Sequence, residues 1–451
     1  MTRLILYQIL FFLPLIMALS DSVFIKANGF YFIILHIIVA LSLIGTNTVR
    51  LLSPITLIYL YTAISLAIGS WGFASGYILL EMDELIFQSW EHTNLSMAIL
   101  ILNLSIFVII GERFLPKNTY STTIKNIPFL QIIPALMILL PFFFIELNLD
   151  VLSGGGGSFS NIPQLLFSLV IILYVQKYKK LRRYIFYILI IGLLAVVSIE
   201  DKREAIFLIL PMLFLESLRY PTKLNFKNGI ILFLLLTYCT ILILAMSIAR
   251  GYGGYGEFTS IFNTIGLIPS YISTDFFISA FLLNIEAGYF YFHGINSIEL
   301  VLNNIDNLSL GSTFIKPLFL LVPRYLFPWK PDSIITLYTM QYDASFRAAG
   351  GSFPINIFSE FFWNFHLMGI FMNIFLVLFG YLLYKHLITS VKKSHITHIL
   401  IYLVCYFHII TLVRGSGIDL YAIYILLSIF FVMFLSIFFR SRKQLLDNNS
   451  S

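Results

Sequence analysis

Apolar runs of bilayer-spanning length recur along most of this chain, at about 4–20, 30–45, 51–69, 94–110, 129–147, 162–176, 184–199, 204–219, 229–249, 366–386, 397–413 and 420–439. Nothing else constrains the fold as much. A bilayer core rewards roughly 20 consecutive apolar residues in a helix, because within hydrocarbon every backbone N–H and C=O must be paired inside the element itself. Composition agrees: 59% of the 451 residues are hydrophobic and 11% are charged, against about 25% charged in an ordinary soluble domain. The runs predict an all-α integral membrane protein of about 12 transmembrane helices. Two of them, 162–176 and 204–219, are short for a full crossing. Arg3 leads into an apolar run through Ser20 with no small-x-small cleavage pattern before Asp21, which reads as an uncleaved first helix.

The charges of the short loops orient these helices. With the N-terminus in the cytoplasm, the inward loops carry Arg50, then Arg113, Lys117 and Lys125, then Lys177, Lys179, Lys180, Arg182 and Arg183. Next come Arg219, Lys223 and Lys227, then Lys385, Lys392 and Lys393, and finally Arg440, Arg442 and Lys443. The opposite loops hold Glu81, Asp83, Glu84, Glu91, Glu146 and Asp150 with few cations. Both termini are therefore expected in the cytoplasm. The net charge of +6 belongs to this asymmetry and speaks for membrane orientation, against nucleic-acid binding. The expected organisation is nine N-terminal helices over 1–249, a long extracytoplasmic loop over 250–365, three helices over 366–440 and a cytoplasmic tail over 441–451.

Every cytoplasmic loop is short, which leaves no room for a soluble nucleotide-binding domain. The one long loop opens with the glycine-rich turn Arg250–Gly256, and its stretches 276–283 and 314–328 are too apolar for a solvated linker and too short to span. They predict short helices lying in the interface or re-entering the protein. A loop folded onto the membrane surface is a place to handle a lipid-linked substrate.

Several features have plain structural readings. Ser153–Ser158, with four glycines between its serines, lacks the Gly-Lys-Ser/Thr ending of a phosphate-binding loop and reads as a flexible turn. His395 and His398 share a helix face without further metal ligands nearby in sequence, as interfacial histidines would. Cys239 and Cys405 sit inside apolar runs as small packing residues. Tyr252, Tyr255, Trp329 and Trp363 are candidates for stacking on sugar rings, beside the commoner interfacial role of such residues. Ionisable groups are scarce inside the apolar runs, which argues against an ion-coupled carrier. They collect at the external ends: Glu200, Asp201, Lys202, Arg203 and Glu204, then Arg250, then Arg414 with Asp419. Arginine suits forked hydrogen bonding to phosphate oxygens.

Three segments carry a resemblance. Pro323-Arg324-Tyr325-Leu326-Phe327-Pro328-Trp329-Lys330-Pro331 is followed by Gly350-Gly351-Ser352 and then by Ser359-Glu360-Phe361-Phe362-Trp363-Asn364-Phe365-His366 leading into a helix. This pattern resembles the O-antigen polymerase (Wzy-type) family, with its Pro-Arg-x-x-x-Pro-x-Lys-Pro stretch and Glu-x-x-x-Asn-Phe segment in a large external loop. Asp201-Lys202-Arg203-Glu204 and Arg414-Gly415-Ser416-Gly417 look like the family's arginine positions. The motifs cover about a fifth of the chain. No second external loop with a duplicated Arg…Gly motif is evident, unlike in some members, so a two-loop scheme is not expected.

The resemblance implies a glycosyltransferase acting at the outer face of the bacterial cytoplasmic membrane. It would join undecaprenyl-pyrophosphate-linked oligosaccharide repeat units, with a polysaccharide chain-length regulator as a partner known from the family. Such chemistry needs cations against the pyrophosphate leaving group, and Arg203, Arg250, Arg324, Lys330, Arg347 and Arg414 are the candidates. It also needs a base for the acceptor hydroxyl, first Glu360, then Asp343, His366 and His293. A carboxylate beside arginines would stay ionised, as a base requires. With arginines neutralising the leaving group, neither a metal nor another cofactor is expected. The rivals are an O-antigen ligase, which shares the lipid donor, and a lipid-linked oligosaccharide flippase, which should show a cationic central cavity and two similar halves.

Overall fold

The computed structural model describes residues 2–77, 91–116, 121–122, 129–143, 161–197, 206–223, 226–249, 251, 261–319, 322, 325–415 and 417–439. Among them the protein is helical without strands, apart from one isolated bridge between Asn47 and Lys223. The longer helices are α1 (Thr2–Leu19), α2 (Ser22–Ile44), α3 (Pro54–Ala74), α4 (Thr93–Phe114), α5 (Phe129–Leu139), α6 (Asn161–Val175), α7 (Lys180–Val197), α8 (Ile209–Arg219) and α9 (Phe226–Ala249). Then come α10 (Ala287–Asn303), the short α11 (Ser312–Ile315), α12 (Ile334–Tyr342), the short α13 (Ala344–Ala348) and α14 (Ile357–Phe365). The chain ends in α15 (Met372–Lys393), α16 (Ile396–Phe407), α17 (Ile409–Arg414) and α18 (Ile418–Phe439). Seven helical stretches among the described residues are long and apolar enough to cross a membrane. The molecule is an all-α membrane protein, and the described residues of each predicted apolar run fall largely on helices.

Two compact units divide the chain. The first comprises Met1–Lys117, Thr222–Tyr381 and Ile409–Tyr421. Its helices begin where the sequence provides caps: Asp21 accepts from the N–H groups of Val23 and Phe24, and Ser53 accepts from Thr56 with Pro54 in the first turn of α3. Helices α1 and α4 run antiparallel. Asn94 at the start of α4 donates to Ala18 O and Ser20 O, while Tyr7 reaches Glu112 near its end. His36 of α2 bridges Tyr59 of α3 at 2.9 Å and Ser105 of α4 at 3.0 Å, so it is a satisfied core residue. Small residues let these helices approach. A Cβ at Gly69 would overlap Tyr291, and one at Gly111 would stand 2.8 Å from Ile55.

Two elements of the region 250–365 enter this bundle. α10 packs on α3 and α4 and buries His293, Asn296, Ser297 and Glu299 along with its apolar residues. Hydropathy alone does not mark it, because its polar residues are spent on partners within the protein. α14 is a helix of nine residues. Its Phe358 ring lies on Phe107, past the midpoint of α4, whereas Asn373 of α15 pairs with Asn103, nearer the start of α4. The chain thus runs along α14, reverses at His366 (φ 51°) and returns along α15. Phe277–Asn284 and α11 are short helices at the expected apolar stretches.

The second unit comprises Asn118–Pro221, Leu382–His408 and Ala422–Ser451. Here α6 packs on α5 and α16, and the Phe214 ring sits between Tyr406 at 4.7 Å and Tyr384 at 6.3 Å. Arg183, expected as a loop cation, is instead 0% exposed and makes a forked pair with Glu216 at 2.6 and 2.9 Å. The scarcity of ionisable groups inside the helices is thus only relative. Glu112, Glu299, Glu360, Arg183 and Glu216 are all buried, each held by protein partners.

Candidate functional site

The motif segments Ser359–Phe365 and Arg414–Gly417 meet inside the first unit. Asn356 starts α14 by accepting from Ser359 N–H at 2.9 Å, and Ser359 Oγ donates to Gly294 O on α10 at 2.9 Å. This seating requires glycine at 294, since a Cβ there would overlap the Asn356 side chain. On the other side runs the turn after α17. Gly415 has φ 95° and a Cβ on it would overlap the carbonyl of Ile355, just before the Asn356 cap. Gly415 therefore meets two demands, positive φ and close backbone approach.

Glu360 stands at the centre of this arrangement and is 0% exposed. Its Oε1 accepts from Thr313 Oγ1 of α11 at 3.0 Å. Asn364, one turn along α14, donates to the same Thr313 hydroxyl at 2.9 Å and to Glu360 O at 2.9 Å. The i,i+4 spacing of the Glu-x-x-x-Asn segment places both side chains on one face. Three residues after Thr313, Lys316 Nζ pairs with Asp419 Oδ2 at 2.5 Å; their side chains are 12% and 9% exposed. Asp419 lies in the first turn of α18, and the electrostatic neighbours of Glu360 are Asp419, Lys316 and the Ile418 N–H. Two carboxylates therefore face one ammonium group in a dry setting, where each charge acts more strongly than in water.

The other candidates are distributed as follows. Arg414 forms an ion pair with Glu286, the residue in left-handed conformation (φ 60°) that precedes α10. Lys330, half-exposed, donates to Val322 O at 3.2 Å. Arg347 donates to Gly351 O at 3.2 Å, across the Gly350-Gly351 turn. Asp343 caps α13, accepting from Phe346 N–H at 2.8 Å and Ser345 Oγ at 2.6 Å, and these bonds hold its carboxyl below its ordinary value. His366 forms the reversal after α14 with its ring on Phe362, 4.6 Å between centroids. His293 is buried with Nδ1 2.7 Å from Tyr338 Oη, its ring stacked on Phe353 at 4.4 Å. Trp363 is buried edge-on to Tyr338, while Trp329 is 81% exposed. Arg203, Arg250, Arg324, Tyr252 and Tyr255 lie outside the described residues, as do Ser153–Ser158 and the rest of the Glu200–Glu204 charge cluster.

Sequence reasoning reached Glu360 and Arg414 but did not name Thr313, Lys316, Asn364 or Glu286 as parts of one cluster. Asn364 was signalled by its spacing from Glu360. For Lys316 no local signal exists, because its partner is 103 residues away, 419 against 316. Chemically, the cluster offers a buried carboxylate with one hydroxyl donor, beside a second carboxylate that already holds the nearby ammonium group. No protein-family model, curated protein or solved structure matches the chain.

Proposed function

We propose that this protein is a multi-pass glycosyltransferase of the bacterial cytoplasmic membrane, an O-antigen or related repeat-unit polymerase with about 12 transmembrane helices and both termini in the cytoplasm. Its substrates are undecaprenyl-pyrophosphate-linked oligosaccharides. In each cycle the acceptor hydroxyl oxygen bonds to the anomeric carbon of the growing chain. The bond from that carbon to the undecaprenyl pyrophosphate oxygen breaks, the pyrophosphate leaves with the bonding electrons, and the hydroxyl proton passes to a base. Glu360 is that base, reached when the acceptor takes the donor position now held by Thr313. Cations among Arg203, Arg250, Arg324, Lys330, Arg347 and Arg414 receive the leaving charge.

The observation that carries the reading is the meeting of the Ser359–Phe365 and Arg414–Gly417 segments around Glu360. These are two of the segments that bear the family resemblance, and the fit of Gly415 against Ile355 gives each a reason to occur with the other. A donor arriving already on a lipid also suits a chain whose cytoplasmic loops are all short. The test is genetic. A deletion strain complemented with the wild-type gene should show long surface-polysaccharide ladders, and complementation with Arg324→Ala or Glu360→Gln should leave a single repeat unit. Loss of every repeat in the deletion strain would identify a ligase instead, and normal ladders from well-expressed variants would remove Arg324 and Glu360 from the chemistry.

A further inference from the structure

The turn between α6 and α7, in the second unit, concentrates positive charge. Gln176-Lys177-Tyr178-Lys179-Lys180-Leu181-Arg182-Arg183 holds five cations. Glu216 is the one carboxylate among the described residues of that unit, and Arg183 already occupies both its oxygens, at 2.6 and 2.9 Å. Arg183 also donates to Tyr178 O at 2.6 Å, so it serves the fold. Lys177 stands over Tyr174, 3.6 Å from the ring centroid. That leaves Lys179, Lys180 and Arg182, all exposed and on one short arc.

Beside them lies a second, independent feature. Leu181, between Lys180 and Arg182, is 74% exposed, and one turn apart along α7 follow Ile185 at 50% and Leu189 at 60%. A solvated loop gains nothing from such a stripe. An acyl chain lying along α7 would cover it, burying apolar surface at roughly 25 cal/mol per Å². Its headgroup would then stand at the first turn of α7, the end of a helix that favours anions.

We propose that the α6–α7 turn and the adjoining face of α7 form a binding site for an anionic phospholipid. Lys179, Lys180 and Arg182 hold the headgroup phosphate, and Leu181, Ile185 and Leu189 seat an acyl chain. The tyrosines Tyr184 and Tyr220, whose rings lie 5.8 and 5.5 Å from Lys180 Nζ, belong to the wet end of the same site. The inference concerns a surface apart from Glu360 and holds whatever the chemistry there.

The test uses the full-length protein in detergent, titrated with phosphatidylglycerol or phosphatidylcholine and followed by native mass spectrometry of retained lipid. Each basic residue near an anionic headgroup strengthens binding about fivefold. Wild type should therefore retain phosphatidylglycerol over phosphatidylcholine, and the triple variant Lys179→Gln, Lys180→Gln, Arg182→Gln should lose about 100-fold in affinity. Should the triple variant not fold, the single variants Lys179→Gln and Arg182→Gln, both at exposed positions, should each lose about fivefold. Equal retention of the two lipids, or unchanged retention in the variants, overturns the proposal. So does complete displacement of phosphatidylglycerol by inorganic phosphate at the same concentration, which would assign the cations to a soluble anion.

Discussion

Glu360 accepts a hydrogen bond from the Thr313 hydroxyl, 3.0 Å away, and the cation that acts on it, Lys316, is committed to Asp419. A carboxylate flanked by arginines was the expectation. What the fold provides is a sealed carboxylate with a hydroxyl donor. Glu360→Gln preserves shape and can still accept from Thr313, so the variant should express and melt like wild type while polymer formation falls by about 10²-fold or more. Thr313→Val removes the donor from Glu360 and a partner from Asn364, at a cost of about 1–3 kcal/mol. Ladder length on gels, read beside melting temperature, separates the two effects: equal loss of stability in both variants would make Glu360 a packing residue.

Gly415 and Gly350 both have positive φ, 95° and 89°, but only Gly415 is crowded; a Cβ at Gly350 meets nothing within 4 Å. Gly350→Ala should cost only the left-handed penalty of about 1–2 kcal/mol. Gly415→Ala must in addition push α14 away from the Arg414 turn, and should abolish both stable expression and ladders. Fluorescence-detected size exclusion of the two variants side by side is sufficient, and comparable profiles would refute the close approach at Ile355.

How far the sequence foretold this follows from the kind of contact involved. Apolar runs of bilayer length announce helices because the backbone has no other way to satisfy itself in hydrocarbon, so α1 to α4 and α15 to α18 lie where the runs do. α10 escaped notice because a polar helix buried against α3 and α4 has the hydropathy of a loop; only the partners of His293 and Glu299 show why it can be buried. The Glu360–Asn364 spacing was legible as one helix face. The pairings Lys316–Asp419, Arg414–Glu286 and Arg183–Glu216 were not, since each joins residues far apart in sequence and no local pattern records them.

Glu299 yields a pH dependence. Burial pushes its carboxyl above the ordinary 4.5, while the His92 N–H, 3.0 Å away, and Lys26 draw it back down. The folded state then holds more protons than the unfolded chain between the ordinary and the raised value, so stability falls as pH rises through that window. Glu299→Gln keeps the acceptor for His92 and should flatten the dependence. Melting temperatures from about pH 4 to about pH 7 read the slope; a wild-type curve that rises over the same interval would reverse the assignment.

Arg183 and Glu216 carry the clearest stability prediction in the second unit. Both side chains are buried, the guanidinium fork matches the carboxylate, and Tyr187 adds a third donor to Glu216 at 3.1 Å. Removing either partner alone strands a charge in a dry interior, so Arg183→Met and Glu216→Leu should each cost about 3–5 kcal/mol. Removing both strands no charge. The double variant loses the bonds to Tyr178 O and Tyr187 but fills the space with apolar atoms, so it should be more stable than either single variant despite carrying both substitutions. A thermal-stability cycle on the four proteins measures the coupling directly, and additive losses would mean that the pair is solvated and that the buried geometry is wrong.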